Sequence, residues 1–181
     1  MFISAERFMY YFIKSIKNNE MVKFKDFFRK ADVFIIDDIQ FVRGKEVMQE
    51  EFFHTFNALI DKGAKILISS DRSPSSLDRI QDRIKSRLSG GLVVDIQSSN
   101  FDLRLEILKF KYQENREKFK DSIDLSDDVL SFLASEMRVS IRETIGALNR
   151  ILAFGRIYNK TPSVSECKLI LKDIINTNNK Q

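Results

Sequence analysis

Hydrophobic positions in the first thirty residues recur at helical spacing, Phe8, Tyr11, Phe12 and Ile16 in one run and Phe24, Phe27 and Phe28 in the next. Ser4 stands where an N-cap hydroxyl meets the first unpaired amides, with Glu6 in the following turn, so the spacing predicts helices over about 4–18 and 22–30. At Val33-Phe34-Ile35-Ile36 the period changes to a continuous β-branched and aromatic run bounded by charges. Such a run reads as a strand buried on both faces of a parallel sheet. A helix over about 46–61 and a second apolar run, Lys65-Ile66-Leu67-Ile68-Ser69, complete a strand, helix, strand order that implies a right-handed parallel crossover. Leu77, Ile80, Ile84 and Leu88 continue at helical spacing until Gly90-Gly91, and Leu92-Val93-Val94-Asp95-Ile96 is expected to form a further buried strand.

From Asn100 the pattern is helical only, over about 100–119, 126–137, 140–158 and 163–175. Two of these open on a capping-box pattern, Ser140 with Glu143 and Ser163 with Glu166. The change of pattern places a boundary near 97–100, between an α/β part over 1–98 and an all-helical part over 99–181. Gly146 inside a helix costs about 1 kcal/mol relative to Ala, which predicts close packing against a neighbouring element. His54, with no second His or Cys nearby, reads as a packing or hydrogen-bonding residue, and Cys167 as a small buried hydrophobe.

Composition narrows the class. Of 181 residues 43% are hydrophobic, with 16 Phe and only six Gly and two Pro, which excludes global disorder. The net charge of +4 is mild and says little about partners; the lysines near the N-terminus read first as a solvated helix face. No apolar run approaches the roughly 20 residues of a membrane helix, so no membrane segment is expected. A lone cysteine and the absence of an apolar leader fit a reducing, cytoplasmic setting.

Four places could carry chemistry. Phe34-Ile35-Ile36-Asp37-Asp38 delivers two carboxylates at the C-terminal end of a strand, the edge where open parallel sheets bind ligands; the pair either holds Mg²⁺ or caps the following turn. The next strand ends in Ser69-Ser70-Asp71-Arg72, so polar groups from neighbouring strands converge. Arg83, Lys85 and Arg87 precede Gly90-Gly91, either as a charged helix face or as guanidinium groups offered to phosphate. Arg142 sits in the first turn of a helix, where positive charge opposes the macrodipole, which points to an anionic partner.

Taken in order, Phe34 to Phe41, Gln49 to Leu59, Ser70 to Pro74, Arg83 to Leu92 and Arg142 to Arg150 resemble the AAA+ ATPase domain of the bacterial DnaA replication initiators over nearly the whole chain. The resemblance implies a P-loop-NTPase-like parallel sheet with flanking helices and a helical lid. It implies ATP and Mg²⁺ as cofactors, with Asp37 as the metal-holding acid and Asp38 as the group that polarises the attacking water. Asp71 corresponds to the residue that senses nucleotide at the next strand, Arg142 to the sensing arginine of the lid, and Arg87 to the arginine that reaches the nucleotide of a neighbouring subunit in a head-to-tail oligomer. The two N-terminal helices correspond to the element that engages single-stranded DNA, with Ile13 and Lys45 at its apolar and basic contact positions. A third contact position, usually basic in that family, is here Val47.

A phosphate-binding loop reads Gly, four residues, Gly-Lys, then Ser or Thr, and no such run occurs in this chain. In the resemblance the loop and its strand precede the first residue, and that strand would lie between Lys65–Ser69 and Leu92–Ile96. The expectation is weak or no ATPase activity of the chain alone. Two alternatives follow: a non-enzymatic module docking on an intact initiator, or the product of a split reading frame with no independent role. Without the intervening strand, the two flanking strands either pair directly or leave a slot about two strand spacings wide.

Overall fold

The structure is a computed structural model describing residues 1–119, 123–138 and 140–178. It divides into two compact units, Met1–Ile96 and Gln97–Gln181.

In the first unit β1 (Phe2–Ser4) leads into α1 (Ala5–Lys17), whose N-cap Ser4 accepts a hydrogen bond from the Arg7 amide at 3.2 Å. After α2 (Met21–Arg29) come β2 (Val33–Asp37), a 3₁₀ turn (Ile39–Val42), α3 (Glu46–Asp61), β3 (Lys65–Ile68), a second 3₁₀ turn (Pro74–Ser76) and α4 (Asp82–Ser89). The strands form a parallel sheet in the order β1-β2-β3. Its buried face packs on α1, α2 and α3 through an aromatic cluster centred on the fully buried Phe8. The Phe8 ring lies 4.8 Å from Phe28 and 5.3 Å from Phe24, with Phe34 and Phe52 at 6.3 and 6.4 Å.

Three expectations for this unit need correction. β2 is buried on one face only: Phe34 and Ile36 are fully enclosed, but Val33 is exposed and Ile35 half-buried. The register sets Phe2 beside Ile35 and Ile35 beside Leu67, so one sheet face carries an apolar row whose ends are 70% and 62% exposed. Leu92–Ile96 forms no strand and pairs with neither neighbour; Leu92 and Ile96 are 93% and 92% exposed. Leu77 and Ile80 are buried but not helical, because helix α4 starts only at Asp82. The buried Gln49 side chain donates to the carbonyls of Val42 and Arg79 and accepts from the Gln81 amide, holding this approach in an irregular path with Arg79 at φ 50°.

The second unit comprises α5 (Phe101–Lys118), α6 (Asp127–Glu136), α7 (Ile141–Tyr158), α8 (Val164–Ile170) and α9 (Lys172–Asn178). Leu108, Leu133, Met137, Leu148, Ile151, Cys167 and Leu171 form its core. Burial pushes the Cys167 thiol up to about 11, so it stays protonated. The single helix expected over 163–175 is interrupted at Leu171, which is itself fully buried. The capping box at Ser163 and Glu166 is present; at Ser140 it is not, since that hydroxyl accepts from the Arg142 amide rather than from Glu143. Gly146 faces open space, and the close approach lies at Gly155 instead, where an added Cβ would stand 2.9 Å from the Ile123 side chain and 3.1 Å from the Lys160 carbonyl oxygen.

Two outcomes follow for the helical unit. Gly146→Ala should raise its stability by up to about 1 kcal/mol by removing a helical glycine, whereas Gly155→Ala should lower it by about 1–3 kcal/mol through overpacking; urea unfolding followed by circular dichroism reads both. The Lys160 ammonium, with the Ser163 amide and hydroxyl, holds the Glu166 carboxyl down at about 2. The folded value lies below the unfolded one of about 4.3, so this contribution is complete above the unfolded value and lost as pH falls through the folded one. Melting curves from about pH 5 to about pH 2 should therefore fall less steeply in Glu166→Gln than in the parent chain.

Candidate functional site

The buried pair Phe34 and Ile36 fixes the pleat of β2, and Asp37 is its last residue. Asp38 then takes the left-handed conformation, φ 59° and ψ 55°, which Asp tolerates better than most side chains because its short polar group bonds locally. Here its carboxylate accepts from the Gln40 amide nitrogen at 2.9 Å. The bend turns the chain into the 3₁₀ segment and leaves both carboxylates at the C-terminal edge of the sheet.

Ser69, immediately after β3, ties that edge together. Its hydroxyl donates to the Asp37 carboxylate and accepts from the Asp38 amide at 2.9 Å, while its carbonyl accepts from the Ile39 amide at 3.0 Å. Gln40 forms a second tie, donating to Asp38 and accepting the Asp71 amide at 3.3 Å. Asp71 is held from its other side by a bidentate Arg72 fork at 3.0 and 2.8 Å. This guanidinium keeps the Asp71 carboxyl below the usual carboxylate range, and its own pKa is raised in return. Asp37, Asp38 and Asp71 are thus brought to one edge by two polar side chains, Ser69, which the sequence marked only as part of a converging polar run, and Gln40, to which it gave no role. The signal available was their position: each follows an apolar strand within three residues, at the C-terminal edge of a parallel sheet.

Lys45 lies beside this edge. It is exposed at the N-cap of α3 and lines a cleft of about 310 Å³ with Gln40, Phe41, Arg43, Asp71 and Arg72. Ile13 is 44% exposed on the outer face of α1, next to the exposed Tyr10 and Ile16, and lies outside that cleft. Val47 is exposed on the first turn of α3.

Of the α4 cations, Arg83 is occupied locally: it hydrogen-bonds Gln81 at 2.7 Å, ion-pairs with Glu50 at 3.3 Å and sits 4.7 Å from the Phe53 ring. Arg87 projects from the last turn of α4 and is exposed. His54, expected to pack or to hydrogen-bond, is also exposed. In the second unit Arg142 is exposed in the first turn of α7, a helix anchored by the buried Thr144, whose hydroxyl donates to the carbonyls of Ser140 and Met137 at 2.9 and 3.2 Å.

Among the described residues no three His, Cys, Asp or Glu side chains cluster as a metal cage. Among the described residues no helix is long and apolar enough to cross a membrane.

Comparison with known proteins gives a consistent answer. Residues 1–95 match the bacterial DnaA ATPase domain. Over 178 residues the chain is 46% identical to the chromosomal replication initiator protein DnaA of Rickettsia massiliae, covering 98% of this chain and 37% of that protein. It superposes on domain III of the Thermotoga maritima replication initiation protein DnaA with a TM-score of 0.89 and 34% identity, over 97% of this chain and 71% of that one. It also superposes on a replication initiator DnaA bound to AMPPCP and single-stranded DNA, with a TM-score of 0.73 and 32% identity, over 83% of this chain and 45% of that one. With the ordered motifs, the parallel sheet and the acidic strand edge agreeing, the chain belongs to the bacterial DnaA family and falls within its AAA+ ATPase domain.

Proposed function

We propose that this chain forms the acidic, nucleotide-sensing edge and helical lid of an ATP- and DNA-binding initiator of chromosomal replication in the cytoplasm. The observation that carries the reading is the convergence of Asp37, Asp38 and Asp71, locked by Ser69 and Gln40 at the C-terminal ends of two neighbouring strands. A relative of the same fold is bound to AMPPCP and single-stranded DNA.

In this reading Asp37 holds Mg²⁺ and Asp38 orients and polarises the attacking water. Bound with a nucleotide, Mg²⁺ would neutralise charge on the phosphate oxygens. The αL turn at Asp38 separates the two carboxylates, Asp37 engaging the Ser69 hydroxyl and Asp38 the Gln40 amide. Asp71, kept anionic by Arg72, reports on the phosphate end of the site. Arg142, exposed in the first turn of α7, serves as a nucleotide-sensing arginine, and Arg87 reaches the nucleotide of a neighbouring subunit in a head-to-tail oligomer; a guanidinium on an exposed last turn can serve a partner's phosphate. Lys45 contacts the DNA backbone and Ile13 supplies apolar contact to it.

The phosphates themselves need a cradle of backbone amides, and the 181 residues contain no Gly-x₄-Gly-Lys-Ser/Thr run. Weak or no ATP hydrolysis by the chain alone follows. Titration of fluorescent ATP with Mg²⁺ should show no saturable binding in the micromolar range; micromolar binding that Asp37→Asn weakens would overturn this point. For DNA, Lys45→Ala should weaken binding about equally across single-stranded sequences and reduce the slope of log K against log salt by about 0.7, the value for one phosphate contact. An unchanged slope would remove Lys45 from the interface.

A further inference from the structure

Helix α1 carries apolar side chains on two sides. Ala5, Phe8 and Phe12 are buried in the core, and once a helix has met the core with one stripe its opposite side is expected to be polar. Instead Tyr10 is 60% exposed on the outer side, and Ile13 and Ile16, one and two turns on, are exposed as well. Single exposed apolar residues are ordinary, but a run of them on one helix marks an interaction surface. Two cations share this side at helical spacing from Tyr10: Lys14 and Lys17, both exposed in the last turns of α1. At the rise of an α-helix they lie about 6 and 10 Å along the axis from Tyr10. The only acid of α1, Glu6, lies one turn in the other direction.

The Tyr10 ring is propped rather than loose. It stands 5.7 Å from the Tyr11 ring at 65°. Tyr11 is fixed in turn by Phe28 at 6.4 Å and by Arg7, whose Nη2 donates to the Tyr11 hydroxyl at 3.4 Å. A ring already held in place loses little conformational freedom when something settles on it.

We infer that Tyr10 is a stacking platform for a base of single-stranded DNA, with Lys14 and Lys17 receiving phosphates further along the same strand. The inference rests on the DNA-binding reading above and adds to the contacts of Lys45 and Ile13 a ring that takes the face of a base. Every base has a π-face, so such a platform raises affinity without selecting sequence. Successive nucleotides of a stacked strand rise by about 3.4 Å, which sets the two lysines about two and three nucleotides beyond the stacked base. A duplex keeps the faces of its bases stacked inside the helix, so the platform favours single strands.

The test is fluorescence anisotropy of the full chain with a labelled thymidine homopolymer of about 16 nucleotides, and with an abasic strand of the same length and backbone, at one salt concentration. The parent is compared with Tyr10→Ala and Tyr10→Phe, two changes at an exposed position outside the core. The expected result is that Tyr10→Ala weakens binding of the thymidine strand by about 5- to 150-fold, the effect of one lost base–aromatic stack, and leaves binding of the abasic strand unchanged. Tyr10→Phe keeps the ring and should stay near the parent. Loss that falls equally on both strands, no loss at all, or a Phe variant as weak as the Ala variant overturns the stacking assignment while leaving the DNA-binding reading in place. A parent that binds neither strand overturns that reading, and the platform with it.

Discussion

Everything in the first unit that bears on chemistry depends on where Phe8 packs. Its ring sits among residues of α2, β2 and α3, namely Phe24 and Phe28, Phe34, and Phe52. Edge-to-face and tilted contacts of this kind contribute about 0.5–1.5 kcal/mol each beyond the apolar area they bury, and they are directional. They therefore choose which face of β2 is inward. With Phe34 and Ile36 inward, pleat alternation leaves Asp37 at the end of the strand facing away from the core, where the Ser69 hydroxyl meets it. A one-residue slip would place Ile35 inward and carry the carboxylate into the apolar cluster, a placement an ionised group resists strongly. The aromatic core is thus the reason an acidic edge exists at all.

A second constraint acts through buried polar side chains on α3 that find partners on neighbouring segments. Gln49 has its amide enclosed and still bonds three backbone groups, from the first 3₁₀ turn, from Arg79 and from Gln81. Glu51 is buried in the same helix and is tolerated because Arg29 lies 2.8 Å away. One side of α3 thus secures α2, and the other secures the irregular approach to α4 that carries Arg87. Removing such a buried partner costs more than the bond itself contributes, because the group left behind stays desolvated. This explains how an eight-residue helix with only Ile84 fully buried can hold its position.

The elements most readable in the sequence were those whose pattern and packing agree. The helices at α1, α2, α3, α5, α6 and α7 and the strands at β2 and β3 all have an apolar periodicity that one neighbouring layer satisfies. That Asp37 and Asp71 meet at one sheet edge was readable because each follows an apolar strand of the same parallel sheet. What failed depended on long-range partners. Leu77, Ile80 and Ile84 repeat at three and four residues, yet Gln49, some thirty residues away, holds the first two outside the helix. Ser69 and Gln40 look like ordinary loop residues until their hydrogen bonds are seen. Gly146 and Gly155 look alike in sequence, and only packing against Ile123 separates them.

The Leu92–Ile96 run shows the same limit from the other side. Its composition is that of a buried strand, and composition records what a segment is suited to rather than what lies next to it. A strand gains stability from ladder hydrogen bonds and cross-strand side-chain contacts, and among the described residues no strand is assigned over 92–96. The same reasoning applies to β3 and to the sheet face bearing Phe2, Ile35 and Leu67. Each keeps the chemistry of an interior while facing outward. The C-terminal edge of the same sheet contrasts with this face: its carboxylates are held in place by the Ser69 hydroxyl and the Gln40 amide, so there polar groups answer polar groups.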